Sequence, residues 1–180
     1  MTLGIALALA GAAIAIIIAA VGSTIGVGKI SSASNGLLSK EPKYFSRLLI
    51  LMLLPSSQSI YALTVAFMIF VRIGILPGAE LQTITTDTGL AILFLCLPVA
   101  VIGGVSTIVQ GNVGVTAVSM FAKQNKMFGS SILIISASEV FALFGFLISM
   151  LGVLFIDLEA VSVQVPQYIA GIQSVLYTIL

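Results

Sequence analysis

Glu139 is the one carboxylate inside an apolar run of this sequence. An ionised group at the centre of a bilayer costs about 2.5 to 3.5 kcal/mol on insertion scales, so it needs partners. The other polar side chains deep in apolar runs include Ser56, Ser57, Gln58, Tyr61 and Gln110. Gln110 and Glu139 stand equally far from a turn centred between Gln124 and Asn125, so the spacing predicts that they face each other. Gln58 lies about as far beyond a turn near Pro42, level with Gly26, which has no side chain to obstruct it. Carboxylate and amides therefore share a plane roughly 22 Å from the turns, at about 1.5 Å per helical residue.

Leu54, Ser57, Gln58 and Tyr61 occupy i, i+3, i+4 and i+7, a single helical face. Pro55 removes a backbone donor and leaves a carbonyl one turn earlier without its usual partner. The set offers a carboxylate, two amide oxygens, a hydroxyl and a freed carbonyl, with no cationic residue nearby, and oxygen cages of this kind suit hard cations. A single negative charge fits Na⁺ better than Ca²⁺ or Mg²⁺. Taken singly, Ser57, Gln58 and Gln110 read as interhelical hydrogen bonds worth about 0.6 kcal/mol each; sharing a plane with Glu139 favours a cation site. Tyr61 has two readings, a bond to the carboxylate or outer-layer packing.

Other chemistries are poorly served. His is absent, and Cys96 is the sole cysteine, so imidazole catalysis, thiolate metal sites and disulfides are excluded. No paired carboxylates and no nucleophile with a neighbouring base support an enzyme, and the chain is read as having no catalytic site. A net charge of +1, no Trp and no basic patch exclude nucleic-acid binding.

The elements that must hold these residues are membrane helices. Of the 180 residues, 59% are hydrophobic and 7% charged, with mean hydropathy +1.26, against about 25% charged in soluble domains. Apolar runs cover about Leu3–Ile25, Leu48–Val71, Gly89–Val109 and Ser131–Ile156, each long enough to cross a bilayer. The expected fold is all-α: an integral membrane four-helix protein of two tandem hairpins, residues 1–72 and 89–156, joined by a 73–88 loop and followed by a 157–180 tail. The first run lacks a basic residue ahead of it and is read as a retained helix rather than a signal peptide. Pro166 divides the tail, and Tyr168–Leu180 is apolar but too short to span.

The hairpins repeat. Ser23-Thr24-Ile25 recurs as Ser106-Thr107-Ile108, Gly28 as Gly111, Lys40 as Lys123, Lys43 as Lys126 and Phe45 as Phe128, always 83 positions on. Lys29, Lys40, Lys43, Arg47, Lys123 and Lys126 flank the hairpin turns and only Arg72 the other side, which places the turns in the cytoplasm and the termini outside. Gly22, Gly26, Gly28 and Gly111 stand out among many small residues of the first and third runs, whereas the second and fourth carry Leu, Ile, Met and Phe. Small residues let helices approach closely in lipid. A tight inner layer of helices one and three within a ring follows.

Leu54-Pro55-Ser56-Ser57-Gln58-Ser59-Ile60-Tyr61, Gln110-Gly111 and Glu139, on matched hairpins, resemble the duplicated rotor-ring proteolipid, or K subunit, of V/A-type rotary ATPases. The resemblance covers about residues 4–156. It implies a homo-oligomeric ring coupled to ATP hydrolysis or synthesis, a membrane stator with an arginine, central-stalk subunits on the cytoplasmic side, surrounding lipids and a prokaryotic cell membrane. It further implies that Glu139, Gln110, Gln58, Ser57 and the Leu54 carbonyl bind Na⁺, or less favourably steady a proton, while Tyr61 bonds Glu139. Ser57 stands where sodium-binding members often have Thr. Ser56 stands opposite Glu139 in the repeat, so one cation per four helices is expected. The competing reading is a stand-alone small cation transporter or channel.

Overall fold

The computed structural model describes residues 2–158. Four spans are long and apolar enough to cross a membrane: Leu3–Leu38, Pro42–Ile73, Thr86–Lys123 and Asn125–Phe155. The first is the helix α1 (Leu3–Leu38) and the third is α4 (Thr86–Lys123). The second consists of α2 (Phe45–Leu53) and α3 (Ser57–Ile73), separated by a 3-10 turn at Leu54–Ser56. The fourth consists of α5 (Phe128–Ser136) and α6 (Glu139–Phe155), separated by a turn at Ala137 and Ser138. No strand occurs among the described residues.

The helices outrun the apolar stretches. At about 1.5 Å per residue α1 is about 54 Å long, against a hydrocarbon core of about 30 Å. The polar residues after Ile25 are compatible with helix and simply continue it, so Lys29 lies well inside α1 rather than beside the turn. The repeat extends to the caps: the Thr2 hydroxyl accepts from Ile5 N–H at 3.4 Å and the Thr85 hydroxyl from Thr88 N–H at 3.2 Å, each supplying a donor-rich helix start with an acceptor.

α1 and α4 run parallel and form the largest interface. Ala8, Ala12, Ala15, Ala19, Gly22, Gly26 and Ile30 recur at helical spacing along the buried face of α1. A Cβ on Gly22 would lie 2.5 Å from the Gly104 carbonyl oxygen, and one on Gly111 2.6 Å from Gly26 Cα. Backbones this close gain dispersion energy that larger side chains would forbid. Lys29 and Asn112, equivalent positions of the two hairpins, bond each other at 2.7 Å across the same seam. Gly28 takes no part in it: nothing lies within 4 Å of a Cβ built there. Two residues past Gly26 is about 200° around the helix, on the opposite face.

α3 packs on α1 and α6 on α4, so the Leu- and Phe-rich spans form an outer layer over the small-residue pair. At the end remote from the hairpin turns, the Arg72 guanidinium donates to the carbonyls of Leu154 and, at 2.7 Å, Ile156. It thereby satisfies orphan acceptors at the end of α6. The apolar segment Tyr168–Leu180, read from the sequence as too short to span, lies outside the described residues.

Candidate ion-binding site

Two interrupted helices meet at Glu139. In the second span Pro55 cannot donate to the preceding turn, and Leu54–Ser56 tighten into a 3-10 turn. In the fourth span the interruption falls at the equivalent place in the repeat, and Glu139 is the first residue after it. The Tyr61 phenol, on α3, donates to Glu139 Oε1 at 2.7 Å. Its ring lies 5.2 Å from that of Phe146, so it both packs and bonds, uniting the two sequence readings.

Behind the carboxylate runs a chain of neutral groups. The Ser57 hydroxyl is placed to donate to the Leu54 carbonyl at 3.1 Å or to Gln58 Oε1 at 3.2 Å. Gln58 Nε2 donates to Gln110 Oε1 at 3.2 Å, and Gln110 Nε2 to the Ile135 carbonyl at 3.3 Å. Both glutamines are fully buried, where an unmet amide would cost about 1 to 3 kcal/mol. The sequence expectation is that Gln110 faces Glu139; in the structure its amide bonds the Ile135 carbonyl, beside the helix interruption. Gly26 likewise does not make room for Gln58. A Cβ there would meet the Thr107 carbonyl oxygen at 2.6 Å and Pro55 Cβ at 3.0 Å, while Gln58 Cβ lies 3.7 Å from the corresponding point on Gly103.

A groove of about 350 Å³ opens onto this cluster, lined by Ile50, Leu53, Leu54, Ser56, Ser57, Ile60 and Glu139. Its lining brings Leu54 and Ser57 of the second span together with Glu139 of the fourth. Among the described residues no Lys or Arg pairs with Glu139; Lys43 and Glu41 pair at 2.8 Å at the exposed first hairpin turn. Among the described residues there is also no group of three or more His, Cys, Asp or Glu side chains. The arrangement therefore offers one negative charge amid neutral oxygens, chemistry suited to a weakly hydrated monovalent cation or a proton rather than a divalent ion.

The sequence model of the ATP synthase C-subunit family matches this chain twice, over residues 10–69 and 93–152. The chain belongs to the ATP synthase C-subunit family. Its two matched units are themselves displaced by the 83 positions of the internal repeat. The V-type sodium ATPase subunit K of Enterococcus hirae is 34% identical over 151 residues, covering 84% of this chain and 92% of that protein. The A-type ATP synthase subunit K of Methanocaldococcus jannaschii is 30% identical over 142 residues, covering 78% of this chain and 59% of that protein. This C-subunit family member is accordingly a V/A-type rotor-ring proteolipid, integral to the membrane and crossing it several times.

Three participants at the cluster of this proteolipid escaped sequence reasoning. The Ile135 carbonyl accepts from both Gln110 and, at 2.9 Å, the Ser138 hydroxyl. The Ser106 hydroxyl donates to the Ser138 carbonyl at 2.6 Å. No proline or glycine marks the interruption at Ala137 and Ser138. Only the 83-residue alignment with Pro55 could have pointed to it.

Proposed function

We propose that this rotor-ring proteolipid carries Na⁺ across the membrane on Glu139, coupled to ATP hydrolysis or synthesis by the rest of a rotary ATPase. Gln110, Gln58, the Ser57 hydroxyl and the Leu54 carbonyl complete the cation's oxygen shell. Tyr61 holds the carboxylate in place. The reading rests above all on one observation: the lone intramembrane carboxylate sits at a helix interruption, bonded by Tyr61 at 2.7 Å, beside a buried pair of amides. The sodium ATPase named among the relatives supports Na⁺ as the coupling ion. With one such carboxylate per chain, each protomer carries one cation per passage.

In this reading the two hairpins, residues 1–72 and 89–156, are joined by the 73–88 loop and followed by the 157–180 tail. The basic hairpin turns face the cytoplasm of a prokaryotic cell, where central-stalk subunits dock, and both termini face outward. Glu139 exchanges its ion when it passes an arginine of the membrane stator. That cation is strong enough a competitor to expel Na⁺, because it approaches a carboxylate whose own partners are neutral.

Carbodiimide labelling of Glu139 at constant pH tests the ion. Millimolar-range Na⁺ should protect the residue, whereas labelling indifferent to Na⁺ would exclude the sodium reading and leave proton coupling. Glu139→Gln should abolish ion-coupled ATP turnover while the ring still assembles. Transport surviving in that variant would remove Glu139 from its central role.

A further inference from the structure

The two hairpins interrupt their outer span at the same register by different means. In the first, Pro55 removes a backbone donor, and the Ser56 and Ser57 hydroxyls donate to the Leu53 and Leu54 carbonyls of the same span. In the second, the equivalent residue is Ser138, which carries an N–H and would be at home in a continuous helix. Something else must keep α5 and α6 apart. Three side-chain donors converge on that stretch: Ser106 on the Ser138 carbonyl at 2.6 Å, Ser138 on the Ile135 carbonyl at 2.9 Å, and Gln110 on the Ile135 carbonyl at 3.3 Å. Hydroxyls that bond helix carbonyls bend helices, and side chains inserted into the backbone ladder kink them.

Ser106 and Gln110 are four residues apart on α4, one above the other on the face that meets the fourth span. The repeat makes the role of Ser106 specific. Its counterpart Ser23 instead accepts from the Ser59 hydroxyl at 2.7 Å, a bond between side chains of two helices that touches no interruption. Thus one serine of the duplicated pair ties two helices together, and the other grips the backbone immediately before Glu139. Ser106 is 7% exposed, so water competes little for its hydroxyl.

We propose that Ser106 is a positioning residue for Glu139: by holding the Ser138 carbonyl it fixes where α6 begins, and so keeps the carboxylate under the Tyr61 phenol. The inference rests on Glu139 as the ion carrier but not on which cation it carries. Ser106 touches neither the ion nor the carboxylate and acts only through the start of α6. Without it the proline-free interruption keeps only the Gln110 bond to the Ile135 carbonyl from α4, and Glu139 samples orientations away from Tyr61.

The test compares Ser106→Ala with Ser106→Thr in the full chain assembled into its ring. Two readouts are followed: the rate of carbodiimide labelling of Glu139 without Na⁺, and the Na⁺ concentration giving half protection. The groove of about 380 Å³ beside Ser106, lined by Val101, Val105, Val109, Ser138 and Phe141 among others, leaves room for the threonine methyl. Ser106→Ala should raise both values about fivefold, the worth of one hydrogen bond of about 1 kcal/mol, with ring mass unchanged; Ser106→Thr should restore both. Unchanged labelling in Ser106→Ala, failure of threonine to rescue, or loss of the ring in the alanine variant would each overturn the proposal. If the parent ring is indifferent to Na⁺ while Ser106→Ala still labels faster, the sodium reading falls and the positioning role stands.

Discussion

At the scale of single residues, the cluster around Glu139 divides into groups that touch the carboxylate and groups that hold those in place. Tyr61 belongs to the first kind. Its phenol donates directly to Oε1, and a hydrogen bond to a charged group contributes about 1.5 to 3 kcal/mol. Tyr61→Phe keeps the ring that packs against Phe146 and deletes only the donor. Ring assembly should therefore persist while the Na⁺ concentration for half protection of Glu139 rises at least about tenfold. Equal protection in the phenylalanine variant would reduce Tyr61 to a packing residue. The residue types here were legible from the sequence because a lone carboxylate in lipid forces a search for oxygens at the same depth. Their pairing was not, since depth arithmetic counts turns and cannot see that the Ile135 carbonyl takes the Gln110 amide.

At the scale of elements, the helices were legible as apolar runs, but where they end and where they break was only partly so. Pro55 announced one interruption; Ser138 concealed the other, because a serine is neutral until a donor from α4 meets its carbonyl. Pro98, inside α4, went unread as well: the neighbouring Val99 N–H donates to the buried Ser149 hydroxyl at 3.0 Å, a tertiary bond that periodicity cannot show. The seam between α1 and α4 separates two glycines that composition treated alike. A Cβ on Gly26 would collide with the Thr107 carbonyl oxygen, whereas one on Gly28 would meet open space. Gly26→Ala should therefore lower the thermal stability of the solubilised ring and weaken Na⁺ protection, because the added methyl also presses on Pro55, whose turn carries Leu54 and leads into Ser57. Gly28→Ala should leave the protomer's own packing unchanged. Thermal unfolding of the two variants side by side checks this, and equal midpoints would mean that the seam yields as a whole.

At the scale of the whole molecule, the chain by itself has no finished surface. Ile17, Val21, Phe67, Val105, Phe141 and Phe155 are all more than half exposed, and they lie on every side, where only lipid or another copy can cover them without cost. The two flanks are unlike: the α4 and α6 side carries the apolar groove lined by Val101, Ile102, Val105, Val109 and Phe141, whereas Ala19, Gly22, Gly26 and Gln58, the first-hairpin equivalents of the last four, are buried within the protomer. Unlike flanks that dock head to tail close into a ring when the rotation between copies divides a full turn. In a V/A-type rotor-ring proteolipid this predicts a single closed species. Native mass measurement in mild detergent should give one large multiple of the 18.7 kDa chain, with no ladder of smaller forms. A charge placed in the groove by Val109→Asp would have to be buried unpaired at every junction, at several kcal/mol each, so this variant should appear as monomer. A dimer from the parent chain, or an intact ring from Val109→Asp, would show that the copies meet through another face.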